Sequence, residues 1–155
     1  FGFDNFSGFN EMDEKDGVSS SSVDKGEGGF NSGVFESILI DAISIFDKDR
    51  FIPYKPRVKL VKGDIEKSVP RFVEDNPGLR ICLLHFDCDM YQPTKIGLEH
   101  LWDLVVPGGV VLFDEYGIRP WEGESKAVDE FFEDKKKSLK RFDWAPNPGA
   151  YLVKE

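Results

Sequence analysis

Two continuous apolar runs, each closed by acidic residues, constrain this chain more than any other feature. The first, Ile81 to Phe86, ends in Asp87-Cys88-Asp89; the second, Val110 to Phe113, ends in Asp114-Glu115. Apolarity that continues rather than alternates predicts strands covered on both faces, as in parallel sheets. In open sheets of that kind, ligands bind beyond the carboxyl ends of the strands. If the two runs are neighbours, Asp87 and Asp114 meet at one sheet edge with Glu115 next along. Such acids repel one another unless a cation neutralises them, and hard oxygen donors suit Mg²⁺. Capping of the next turn accounts for any one of these acids taken singly; two strands ending alike favour the metal.

The surrounding pattern agrees with alternating strands and helices. Phe1 to Asp4 reads as the end of a strand. Val34, Phe35, Ile38, Leu39, Ala42, Ile43 and Phe46 recur at helical spacing after Ser32, a residue suited to an N-cap. Val58 to Val61 reads as a short strand, and 64–75 as a helix stopped by Asn76-Pro77-Gly78. Pro93 suits the first turn of a helix running to Val105, which Pro107-Gly108-Gly109 ends. A further helix spans 123–137, with Lys135 to Lys137 at its carboxyl end. Segments 140–144 and 150–154 flank Ala-Pro-Asn-Pro-Gly and read as an antiparallel hairpin. The fold class is therefore α/β, a mostly parallel sheet closed by a C-terminal antiparallel hairpin. Residues 10–31, rich in Ser, Gly and Asp, read as a mobile loop or lid within one domain of 155 residues.

Composition narrows the function classes. A net charge of −9 argues against a nucleic-acid surface, which needs clustered Lys and Arg. No apolar run approaches the ~20 residues that span a membrane. Two cysteines, Cys82 and Cys88, fit a reducing cytoplasm better than a disulfide framework. His85 reads as a core histidine, and His100 as mid-helix and structural. Tyr91, Tyr116 and Trp121 are candidates to wall an acceptor pocket, with simple packing as the alternative.

Leu84-His85-Phe86-Asp87-Cys88-Asp89-Met90-Tyr91-Gln92-Pro93-Thr94 and Pro107-Gly108-Gly109-Val110-Val111-Leu112-Phe113-Asp114-Glu115-Tyr116-Gly117 resemble segments of the macrocin O-methyltransferase family. Gly2-Phe3-Asp4-Asn5-Phe6-Ser7-Gly8-Phe9 is similar to that family's strand-2 segment, and Lys126-Ala127-Val128-Asp129-Glu130-Phe131 to its Ala-Val-Asp helix. The resemblance implies a Rossmann-like class I methyltransferase fold. It further implies S-adenosylmethionine as donor, Mg²⁺ as cofactor, and a small hydroxylated acceptor, often a sugar of a natural product. Asp87, Asp114 and Glu115 then stand as metal ligands, with Glu115 where the family often has Asp. Asp4 would hold the cofactor ribose, with a turn-initiating Asp as its alternative. Gly63 and Asp64 would contact the adenine, although Asp64 equally reads as the N-cap of the next helix. Asp87 or Asp89 would accept the acceptor's proton.

The glycine-rich cofactor turn after strand 1 has no counterpart in these residues, so the chain reads as N-terminally truncated, with a gap in mid-sheet. A longer parent supplies that strand, or the chain self-associates as a homo-oligomer to cover its edges. Three other classes share parts of the pattern. Asp87-Cys88-Asp89 also fits a metal-dependent glycosyltransferase or a phosphohydrolase, and the truncation fits a non-catalytic binding module.

Overall fold

The computed structural model describes residues 1–18, 24–31, 33–133 and 138–155. Ser32 and Lys135 to Lys137, expected as cap and helix end, lie outside them. Among the described residues, five strands and four helices alternate: β1 (Gly2–Asp4), α1 (Phe35–Lys48), β2 (Leu60–Lys62), α2 (Ile65–Asp75), β3 (Ile81–Phe86), α3 (Tyr91–Leu101), β4 (Val105–Phe113), α4 (Glu122–Phe132) and β5 (Ala150–Val153). The strands form two sheets. β1 pairs parallel with β2, while β3, β4 and β5 lie in that order, β3 parallel and β5 antiparallel to β4. Lys140 extends the antiparallel end by exchanging two 2.8 Å backbone hydrogen bonds with Tyr151.

The core lies on one side of the three-stranded sheet. Phe86, Val111 and Phe113 face Leu98 and Trp102 of the α3 segment and Val128 and Phe132 of α4. Phe86 and Phe113 stack at 5.4 Å, and Trp102 meets Phe132 edge-on at 4.9 Å. Gly97 permits the close approach of α3, because a Cβ there would run into the Phe86 ring. Phe86, Trp102, Phe113 and Phe132 bring large apolar area and favourable ring contacts to this core.

Several expectations need correction. β3 is not covered on both faces along its length: Leu83 and His85 share a face and are exposed, Leu83 to 59%, while Leu84 and Phe86 on the other face meet the core. The helix expected to reach Val105 stops at Leu101, and a 3-10 turn over Trp102–Leu104 leads into β4. Pro107-Gly108-Gly109 therefore sits inside β4, as a register irregularity rather than a helix stop. β2 falls at Leu60–Lys62, two residues later than expected at its start. α1 has the expected periodicity but no buried residue; Phe35, Ile38, Ile45 and Phe46 are each at least half exposed.

The Ser/Gly-rich segment holds an unexpected anchor. Asp13 and Asp16 form a capping box around the turn Glu14–Asp16. Asp16 Oδ1 then accepts the Tyr91 amide at 2.6 Å, so it caps α3, whose own N-cap residue Met90 offers no side-chain bond. Lys15 donates to the Tyr91 hydroxyl and to Glu130 of α4, each at 2.8 Å. Lys25 is fully buried, donating to the carbonyls of Asp16 (2.7 Å) and Pro120 and lying 3.6 Å from Glu122.

Candidate active site

The register of β3 on β4 brings the two acidic strand ends together. Phe86 pairs with Phe113, and the Asp114 amide donates to the Phe86 carbonyl at 3.0 Å. Asp87 and Asp114 are therefore the next residues on adjacent parallel strands. After Asp87 the chain turns at Asp89, whose φ of 61° is left-handed, before entering α3. Beyond Asp114, the Glu115 amide donates to Glu124 Oε1 of α4 at 2.8 Å.

Two side chains hold the Asp114 carboxylate. His85 Nε2 lies 3.2 Å from Oδ1, and Asn147 Nδ2 donates to Oδ2 at 3.0 Å. His85 is thus not a core histidine; it stands on the open face of β3 beside the acids. Asn147 also reaches Glu115 Oε1 at 3.5 Å, and the Gly149 amide donates to the Asp114 carbonyl at 2.7 Å. The Pro-Asn-Pro-Gly segment, read only as a turn, delivers these two groups.

The acids depress one another's ionisation. Burial, then the charge of Asp114, raises Asp87 from its ordinary value, with His85 opposing. Burial and the charges of Asp87 and Asp114 push Asp89 up to about 6. Burial and the three aspartates push Glu115 up to about 7, against the hydrogen bond from Asn147. Burial pushes Glu124 up to about 8, opposed by the Glu115 amide and reinforced by Asp89, Glu115 and Asp114. Glu115 Oε2 and Glu124 Oε2 are buried with no hydrogen-bond partner.

Among the described residues, no three His, Cys, Asp or Glu side chains converge as a ready-made metal cage. The donor chemistry nevertheless fits a hard cation. The mutually repelling carboxylates and the orphaned Glu115 oxygen are the groups such an ion would satisfy.

Beside the acids lies a cavity of about 230 Å³, lined by Asp4, Gly63, Asp64, Asp87 and Asp89 among others. Asp114 and Glu115 stand outside its lining. The pairing Asp4↔Lys62 sets Asp4 beside Gly63, and the Gly63 amide donates to the Asp4 carbonyl at 2.9 Å. Asp4 Oδ1 accepts the Phe6 amide at 2.6 Å, and Asp64 caps α2 by accepting the Glu66 amide at 3.0 Å. Both carboxylates thus serve local turns while lining the cavity. Of the proposed wall aromatics, Tyr91 is buried with its hydroxyl on Glu130 at 2.7 Å. Burial, and then the 2.7 Å hydrogen bond that the Tyr116 hydroxyl donates to Asp129, raise Tyr116 to about 12. Trp121 packs against Phe9 and Phe30. The Cys88 thiol, close to Thr94 at 3.4 Å, is pushed far up by burial and is structural.

Sequence reasoning missed Glu124, Asn147 and Lys25. Glu124 carries no local signal beyond an acid in the first turn of a helix. Lys25 looks like an ordinary lysine in a polar loop.

A mostly parallel α/β sheet whose strand ends carry paired acids beside a cleft has the plan of a class I methyltransferase. Residues 9–148 match the macrocin O-methyltransferase family model, and the chain belongs to that family. It is similar to the crystal structure of CalS11, a calicheamicin methyltransferase, at 31% identity and a TM-score of 0.86. The apo structure of CalS11, described as a TDP-rhamnose 3′-O-methyltransferase of calicheamicin biosynthesis, matches at 28% identity and a TM-score of 0.76. The O-methyltransferase NovP shares the fold at 19% identity and a TM-score of 0.61. These matches cover 98% of this chain but only 58%, 56% and 58% of the neighbours, so the chain spans somewhat over half their length. No curated protein matches the sequence.

Proposed function

We propose that the protein carrying this chain transfers a methyl group from S-adenosylmethionine to a hydroxyl of a small sugar-bearing molecule, with Mg²⁺ as cofactor. The observation that carries this reading is that Asp87 and Asp89 line one cavity with Asp4, Gly63 and Asp64, while Asp114 and Glu115 follow the neighbouring strand end. In this reading Asp4 holds the donor's ribose, Gly63 and Asp64 flank its adenine, and Asp87, Asp114 and Glu115 hold the cation. A bound Mg²⁺ supplies orientation of the acceptor and a lowered proton affinity at its hydroxyl.

The chain's own groups account for the remaining steps. The acceptor oxygen attacks the sulfonium methyl carbon in line; a C–O bond forms, the C–S bond breaks, and S-adenosylhomocysteine leaves. The hydroxyl proton goes to an aspartate. Asp89, which would be left free of the cation, suits that role better than Asp87, which would hold it. The residues act as one methyltransferase domain, with Asn10, Glu11 and Asp16 of the loop lining the cleft.

Further properties follow from the same reading. Both cysteines are free, which fits a cytoplasmic protein. The net charge of −9 argues against a nucleic-acid partner, and among the described residues no helix is long and apolar enough to cross a membrane. The bare edges of β1 and β3 are the places where further chain or a second protomer of a homo-oligomer would add.

The test is release of S-adenosylhomocysteine by the intact protein supplied with S-adenosylmethionine and TDP-rhamnose, the sugar nucleotide on which CalS11 acts. Turnover should fall about 10²-fold or more in Asp89→Asn, stop in EDTA and return with Mg²⁺. Hydrolysis of the sugar nucleotide without methyl transfer would overturn the proposal.

A further inference from the structure

Lysine is among the residues a fold buries least often, and a buried one needs partners for its charge. Lys25 has no exposed surface, although it comes from a polar loop. Its ammonium donates to the Asp16 carbonyl at 2.7 Å and to the Pro120 carbonyl. It also lies 3.6 Å from Glu122 Oε2, in the first turn of α4, and 5.2 Å over the Trp121 ring. Asp16 in turn accepts the Tyr91 amide at 2.6 Å, at the first residue of α3. Lys25 therefore reaches the entry of α4 directly and the entry of α3 through Asp16. Lys126 of α4 donates to the Lys15 carbonyl at 2.7 Å, which seats the turn Glu14–Asp16 against α4 as well. Gly123 makes room for this junction, because a Cβ there would strike the Asp16 carboxylate.

These two entries are the segments that leave the acidic strand ends. Pairing of β3 with β4 fixes where Asp87 and Asp114 begin, but not the course of the chain beyond them. On the α3 side, Asp89 holds a left-handed φ of 61° two residues before Tyr91, a posture that persists only where the surroundings impose it. On the α4 side, Glu124 accepts the Glu115 amide at 2.8 Å. Movement of either helix end thus shifts one half of the acid cluster against the other. The donor's wall is built elsewhere, from Asp4 of β1 and from Gly63 and Asp64 between β2 and α2. We propose that Lys25 is a positioning residue for the cation: it ties the entries of α3 and α4 together and so holds Asp87 and Asp114–Glu115 at the separation the ion requires. The inference rests on the methyltransferase reading above and adds to its site a residue that acts on the ion through the chain.

The experiment compares wild type, Lys25→Met and Lys25→Arg as the intact protein, each well below its melting temperature. Mn²⁺ is titrated by electron paramagnetic resonance and S-adenosylhomocysteine by calorimetry. Lys25→Met should bind Mn²⁺ about tenfold more weakly, the scale for a group that orients metal ligands from outside. It should bind S-adenosylhomocysteine within about twofold of wild type. Lys25→Arg keeps a charge and donors for the two carbonyls, and should recover most of the Mn²⁺ affinity. Gly123→Ala disturbs the same junction with Lys25 in place; it should show the same split between the two ligands, and it carries the test if Lys25→Met does not fold. Unchanged Mn²⁺ affinity in a folded Lys25→Met or Gly123→Ala would reduce Lys25 to a buttress of the fold and overturn the proposal. Equal losses of Mn²⁺ and S-adenosylhomocysteine would overturn it too, since they mark a general loosening. A wild type that binds neither ligand would instead sink the underlying reading, and the positioning role with it.

Discussion

Glu124 shows how much a single side chain can report about this site. Its carboxyl is fully buried, one oxygen accepts the Glu115 amide, and the other has no partner. Its pKa is raised from 4.5 to about 8. A raised folded-state value means the unfolded chain releases this proton first. The stabilisation is therefore complete below about pH 4.5 and is lost as pH rises toward 8. Asp89 and Glu115 shift in the same direction and steepen the loss. In chelator, the melting temperature should accordingly fall between pH 5 and pH 8.5. Glu124→Gln keeps the acceptor for the Glu115 amide and removes the charge, so it should raise stability at pH 8.5 by roughly 2 kcal/mol and flatten the profile. A variant that melts lower than wild type at pH 8.5 would contradict this. A second prediction concerns His85. Replacing it with Ala frees one oxygen of Asp114 and should weaken Mn²⁺ binding several-fold, on the scale of ~10-fold for a residue that orients a ligand, read by electron paramagnetic resonance. His85 was legible as a residue and misread as a core filler, because a histidine inside an apolar run gives no sign that its strand has an open face.

At the level of elements, apolar runs were easier to read than their surroundings. β3 matches its run residue for residue because Ile81 to Phe86 is bounded by a polar turn and by acids. The end of α3 was misplaced because Val105 continues a helical apolar pattern although the backbone has already turned. The most consequential local interaction was invisible, since Asp16 caps α3 from 75 residues away. Asp16→Ala should cost about 1–2 kcal/mol, as for loss of an N-cap, and should release Lys15 and Lys25 together. Limited proteolysis near residues 10–31 should then quicken; an unchanged cleavage rate and melting temperature would show that the cap does not hold the segment. α1 makes the opposite point. Its stripe has the period of a buried helix, yet Ile45 is 67% exposed, so Ile45→Lys should shift stability by no more than about 0.5 kcal/mol.

For the molecule as a whole, alternation of strands and helices was enough to identify the class, and the family match over residues 9–148 agrees. Periodicity could not show how the strands divide between sheets. Pairing is a long-range property, and β1–β2 and β3–β4–β5 remain two separate sheets. The site was half legible. Asp87, Asp89, Asp114 and Glu115 stood out as candidates because they fall within three residues of the end of an apolar run. Asn147 and Glu124 reach the same spot from a turn and from a later helix, which only tertiary packing reveals. The account stands on those four acids acting as one unit with a cation. The most direct measurement is calorimetric titration of Mn²⁺ into the intact protein with S-adenosylhomocysteine present, for wild type and for Asp114→Asn. Wild type should bind one ion per chain and the variant should bind at least about tenfold more weakly; binding undiminished in Asp114→Asn would contradict the site.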